Sequence, residues 1–142
     1  MSDCIFCRIV RKEIEASIIH EDDKVLALLN IKPFSPGHTL VIPKGHFENI
    51  YDIPEDVIAH LYKIVKRVAI AVKKAVDAEG ISIIQSNEIA GSQGFFHFHT
   101  HVIPRYFDDK INQVGMIWEG HEMAEQEDLK SVAEKIKKNL NG

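Results

Sequence analysis

The stretch that decides the reading is FFHFHTHVIPR, residues 95–105, in which His97, His99 and His101 alternate with Phe98, Thr100 and Val102. Successive side chains of a β-strand point to opposite faces. The alternation therefore predicts a strand with the imidazoles on one side and apolar or β-branched residues on the other. Same-face neighbours would sit about 6.6 Å apart, close enough for the outer rings to surround an atom that the middle ring attacks. Histidine titrates near neutrality and serves as base, acid, nucleophile or metal ligand, so the row narrows the chemistry without choosing it. Burying three unpartnered imidazoles on one face would be costly, and that cost argues for a functional use.

Upstream of the histidines, the polar loop NEIAGSQG at 87–94 follows an apolar strand predicted over 81–86. Gly91 and Gly94 permit close approach of a ligand, and loop amides could face an anion. Before that strand, Val57, Leu61, Ile64, Val65, Val68, Val72 and Val76 recur at helical spacing, which predicts an amphipathic core helix from Pro54 to about residue 78, stopped by Gly80. Strands are expected over 17–20 and 24–29, a hairpin around the acidic turn 21–23, and over 39–42, entered from the loop NIKPFSPGH at 30–38. Asp3 is placed to cap a short helix over 4–11, with Phe6, Ile9 and Val10 on its apolar side. A closing helix over 126–140 would bury Leu129, Val132, Ala133 and Ile136. The expected fold class is α+β: a five-stranded, mostly antiparallel sheet with one long helix across a face and short helices near the N- and C-terminal ends.

The chain has 142 residues, a size that suits one domain spanning 1–142 with a real core. Its net charge of -4, with acidic and basic residues intermixed, gives no basic footprint for DNA or RNA. No apolar run approaches the roughly 20 residues of a membrane span, and a soluble cytoplasmic protein is expected. The two cysteines, Cys4 and Cys7, cannot build a disulfide framework. Their C-x-x-C spacing in a reducing compartment points to metal or redox chemistry.

HFHTHVI, residues 97–103, fits the His-φ-His-φ-His-φ-φ pattern, and PGHTLVIPK, residues 36–44, fits a second stretch of the same family. With the CIFCRI opening at 4–9, the chain resembles the histidine triad (HIT) superfamily, in particular its Hint and bacterial Hit-like nucleotide hydrolases. The segment 107–142 is the part this resemblance anchors least. It implies a homodimer whose sheet runs across both subunits, and attack on the α-phosphorus of a purine nucleotide derivative. By the same resemblance His99 corresponds to the nucleophile that forms a transient nucleotidyl-histidine, flanked by His97 and His101, with His101 contacting the phosphate. His38 corresponds to a buttress, Asn30 to the ribose contact, and Asn87, Gln93 and Gly94 to substrate contacts. Gly94 stands where many members have Ser or Thr near the leaving group.

The resemblance also implies a structural zinc site of Cys4, Cys7, His46 and His97, with no open coordination place. Phosphoramidates and dinucleoside polyphosphates are both candidate substrates. Two other readings compete: a nucleotide-binding adaptor with incidental hydrolysis, and a catalytic zinc held by His97, His99 and His101 together. His20, His60 and His121 are read as solvated or capped residues, and VGMIW at 114–118 as a subunit-interface segment near the partner's pocket.

Overall fold

The computed structural model describes residues 4–109 and 122–141. Five strands, β1 (Ile18–Glu21), β2 (Val25–Leu29), β3 (Thr39–Pro43), β4 (Gly80–Gln85) and β5 (Thr100–Arg105), form one sheet in the order β1-β2-β3-β5-β4. Every neighbouring pair is antiparallel. Among the described residues three α-helices accompany it: α1 (Ile5–Val10), α2 (Glu55–Ala75) and α3 (Gln126–Asn141). This is the α+β architecture expected, with α3 running one residue beyond the closing helix expected over 126–140. No helix among the described residues is long and apolar enough to cross a membrane.

β2 is apolar throughout, β3 is apolar after Thr39, and both are wholly buried because both faces of the sheet are covered. Alternate residues serve different layers. Ala27 and Val41 pair in register and face α2 and α3, together with Phe98 and Val102. Leu26 and Leu28 pair with Ile42 and Leu40 and face the other way, onto Phe6 and Ile9 of α1. The stripe of α2 buries Leu61, Ile64, Val65, Val68 and Val72 as its spacing requires. Each such aliphatic side chain contributes about 1.5–3 kcal/mol on burial.

Three boundaries depart from the sequence expectations. Cys4 caps α1, its Sγ accepting from the Cys7 amide at 3.4 Å, while Asp3 lies outside the described residues. α2 ends at Ala75 rather than near 78, and Gly80 does not stop it but opens β4 opposite Arg105. The stop is Asp77, held at φ +52°, with the Ala78 amide reaching back to the Lys73 carbonyl at 3.1 Å. Asp tolerates this left-handed state well enough to do what glycine usually does.

The largest departure is the histidine strand. β5 begins only at Thr100, so His97 and His99 precede it in irregular backbone. The ladder runs out because β4 ends at Gln85, opposite Thr100, and β3 ends at Pro43, which has no N–H to donate. In its place the Phe98 amide donates to the Phe47 carbonyl at 2.6 Å. VGMIW at 114–118 and His121 lie outside the described residues.

Candidate active site and metal centre

The site forms where β3 and the start of β5 meet the 30–38 loop. Gly37 sits at φ +101°, and a Cβ there would approach Val76 Cγ1 to 3.3 Å, so this turn requires glycine. The turn delivers His38, which is 1 % exposed, to the start of the central strand β3. Ser35 pins the loop by donating to the Pro104 carbonyl at 2.7 Å, and the Asn30 amide donates to the His38 carbonyl at 2.9 Å.

Hydrogen bonds fix which nitrogen of each ring carries its proton. The Phe34 amide donates to His38 Nδ1 at 3.1 Å, so the His38 proton resides on Nε2 and is donated to His101 Nδ1 at 2.9 Å. His101 therefore carries its own proton on Nε2. His99 Nδ1 lies 2.7 Å from the His97 carbonyl, which can only accept, so His99 is protonated there and presents a lone pair on Nε2. The His99 and His101 rings meet edge to face with centroids 5.0 Å apart, closer than strand geometry alone would give. Burial pushes His101 down to about 2, helped by His38 and His99, and burial lowers His99 against the opposing bond to the His97 carbonyl. Both imidazoles are neutral at physiological pH, as a nucleophile must be.

His97 faces elsewhere. Its Nε2 donates to the Pro43 carbonyl at 2.9 Å, which leaves Nδ1 as a lone pair 3.3 Å from Cys4 Sγ and 3.6 Å from Cys7 Sγ. His46 Nδ1 stands 3.2 Å from Cys7 Sγ. The four donor atoms lie within 4.8 Å of one another. A tetrahedron with metal–sulfur bonds of about 2.3 Å and metal–nitrogen bonds of about 2.0 Å has S···N edges of about 3.5 Å, so this cradle fits a zinc-sized ion. Burial, reinforced by Cys4, pushes the Cys7 thiol up, and a bound cation would reverse that by stabilising both thiolates. Because His97 turns into this cradle while His99 is tethered through Nδ1 to a backbone carbonyl, the histidines do not converge on one ion in this arrangement. The catalytic zinc reading has no geometric support.

Other expected site residues are positioned as follows. Asn30 Oδ1 accepts from the Lys32 amide at 2.9 Å, shaping the loop. Asn87 is engaged on both ends of its amide: Oδ1 accepts from the Ile50 amide and from Gln85 Nε2, and Nδ2 donates to Gln85 Oε1. Gln93, buried, donates both amide hydrogens to the carbonyls of Glu48 and Phe95 and accepts from the Glu88 amide. Gly94 has open space where a Cβ would stand. The amides of Gly91, Ser92 and Gln93 turn inward to the Glu88 and Ile89 carbonyls, which corrects the expectation that these amides of the loop face an anion.

Three aromatic neighbours of the histidines were not foreseen as part of the site, although Phe6 was expected on the apolar side of the first helix. Phe34 stacks on His38 at 5.6 Å, while Phe6 and Phe95 flank His99. The signal that could have placed them there was position, Phe6 lying between the two cysteines and Phe95 two residues before His97.

The HIT domain profile matches residues 11–108. The chain is 35% identical to Protein hit of Bacillus subtilis over 139 residues, covering 97% of this chain and 94% of the relative. It is 36% identical to adenylylsulfatase HINT3 of Arabidopsis thaliana over 104 residues, 73% of this chain and 53% of the relative. To adenosine 5'-monophosphoramidase HNT1 of Candida albicans it is 30% identical over 143 residues, 98% of this chain and 92% of the relative. Among solved structures, a Hit-like protein from Bartonella henselae superposes with a TM-score of 0.87 at 37% identity, covering 98% of this chain and 97% of that one. A Zn-bound histidine triad family protein from Mycobacterium smegmatis gives 0.84 at 32% identity, covering 99% and 94%. The chain belongs to the HIT family.

Proposed function

We propose that this protein hydrolyses purine nucleotide derivatives at the α-phosphorus, nucleoside phosphoramidates or related compounds, through a nucleotidyl-histidine on His99. The observation that carries the reading is the His99 tautomer. With Nδ1–H bound to the His97 carbonyl, the Nε2 lone pair is the atom presented for in-line attack. As the bond from Nε2 to phosphorus forms, the ring gains positive charge, and the His97 carbonyl dipole stabilises it at Nδ1. The leaving group departs with its bonding pair. His101, whose own proton is kept on Nε2 by the bond from His38 to its Nδ1, donates toward a non-bridging phosphate oxygen. Water then attacks phosphorus, the phosphorus–nitrogen bond breaks, and neutral His99 is regenerated. One water is consumed overall, its protons shared between leaving group and nucleoside monophosphate.

Asn30 contacts the ribose in this reading, Gly94 lies beside the leaving group, and Gln93 and Asn87 act by holding the 87–95 loop. The names of the Candida and Arabidopsis relatives, a monophosphoramidase and an adenylylsulfatase, support the class of substrate. Cys4, Cys7, His46 and His97 hold one structural zinc, which clamps α1 against the triad. The Zn-bound mycobacterial neighbour supports this assignment. A homodimer joined through the β4 edge completes the picture, since Ile83 of this edge strand is exposed at 42%. The test of the activity is His99→Ala. It should bind a purine monophosphate with near-native affinity yet lose turnover of a nucleoside phosphoramidate by at least about 10³-fold. Turnover near the wild-type rate would reject His99 as nucleophile.

A further inference from the structure

We infer that Phe6 is a positioning residue that couples the Cys4/Cys7/His46/His97 cradle to the imidazole of His99, an inference resting on the nucleophilic role proposed above. Phe6 lies between the two cysteines on the short helix α1 and is 4 % exposed. Its ring sits 5.6 Å from His97, 5.5 Å from His99 and 5.4 Å from Phe95, at interplanar angles of 75°, 53° and 62°. One side chain therefore touches a residue of the cradle, the proposed nucleophile and the aromatic wall at the mouth. The contacts to His97 and Phe95 are edge-type arrangements that aromatic rings favour, that to His99 is tilted, and together they resist rotation of any one ring alone.

His99 needs such a neighbour because it precedes β5 and no ladder holds its backbone. Rotation of its ring about Cβ–Cγ is limited by the Nδ1 bond to the His97 carbonyl, by the His101 ring and by Phe6 with Phe95. The position of Phe6 is in turn set by α1, whose first turn is tied through Cys4 Sγ and Cys7 Sγ to His97 and His46. A displacement of the cradle thus moves the wall against which the nucleophile leans. Misplacing a reacting group by about 1 Å can cost on the order of 10²-fold in rate.

The experiment compares wild type, Phe6→Leu and Phe6→Tyr by nitrogen-15 NMR of the His99 ring, by single-turnover rates on a purine nucleoside phosphoramidate, and by binding of purine monophosphate. Each is measured before and after zinc is withdrawn by a chelator and again after zinc is restored. In folded Phe6→Leu the His99 resonances should broaden or shift away from the single Nδ1–H tautomer, and the rate should fall roughly 10- to 100-fold. Phe6→Tyr keeps a ring and should restore both. Zinc withdrawal should perturb the His99 signals of wild type and leave those of Phe6→Leu little further changed, because the link is already cut. An unaltered His99 spectrum in Phe6→Leu, or an equal response to the chelator in both proteins, would overturn the inference. Should Phe6→Leu not fold, a wild-type His99 spectrum that ignores the chelator has the same force. The NMR signature reports ring orientation whether or not His99 is the nucleophile, so failure of this link and failure of the proposed reaction are told apart.

Discussion

At the scale of single residues, function depends on which nitrogen holds a proton, and here backbone groups decide it. The Phe34 amide sets His38, His38 sets His101, and the His97 carbonyl sets His99. Replacing His38 by Phe would keep an aromatic ring against Phe34 but remove the donor to His101 Nδ1. We expect kcat to fall roughly 5- to 150-fold, or about 1–3 kcal/mol for the bond lost at His101, and the melting temperature to fall as well because the Phe34 amide loses its acceptor. The check is steady-state kinetics beside a melting curve, and a kcat within twofold of wild type would show that the relay does not act. That His97, His99 and His101 would cluster was legible in the alternation itself. Their different partners were not, because these depend on Pro43, Cys4 and Cys7, contacts made across the fold.

At the scale of elements, the β1–β2 turn is clasped to α2 by Asp22. One of its oxygens lies 2.7 Å from His20 Nε2 and 2.8 Å from His60 Nε2, and the other accepts from the Lys24 and Val25 amides. Lys24 itself pairs with Asp56 of α2 at 3.6 Å. Burial raises the Asp22 carboxyl, but the bonds from His20, the Lys24 amide, His60 and the Val25 amide outweigh it and hold the group far below the usual carboxylate range. A depressed carboxyl stabilises the fold above its unfolded value of about 3.9, and this contribution is lost as pH falls through the folded value. Asp22→Asn should therefore lower the melting temperature at pH 7, with the gap to wild type narrowing in acid below about pH 4. A gap that stays constant from pH 7 to pH 2 would contradict this.

Element types were largely legible, since the aliphatic stripe of α2 and the apolar runs of β2 and β3 follow from spacing alone. Ends were less so. Asp77 took the left-handed stop that Gly80 advertised, and the strand expected from residue 95 waited until Thr100 because its neighbours could no longer pair. The clasp joins Asp22 to His60, 38 positions away, and no local pattern announces such a contact.

At the scale of the whole molecule, two assemblies are expected. Elemental analysis of protein purified without chelator should find about one zinc per chain, and Cys4→Ser combined with Cys7→Ser should abolish it and lower the melting temperature. Protein with no metal and unchanged stability would reject the structural zinc. Light scattering should give a dimer, and Ile83→Lys on the β4 edge should shift it toward monomer; a monomeric wild type would remove the continuous sheet. The proposed reaction turns on one nitrogen atom, Nε2 of His99, and it is tested most directly there. Wild type mixed with a purine nucleoside phosphoramidate, quenched within milliseconds at alkaline pH and digested, should yield a peptide containing His99 heavier by one nucleotidyl group, with its formation and decay matching turnover. Turnover without that adduct, or an adduct on His97 or His101, would contradict it.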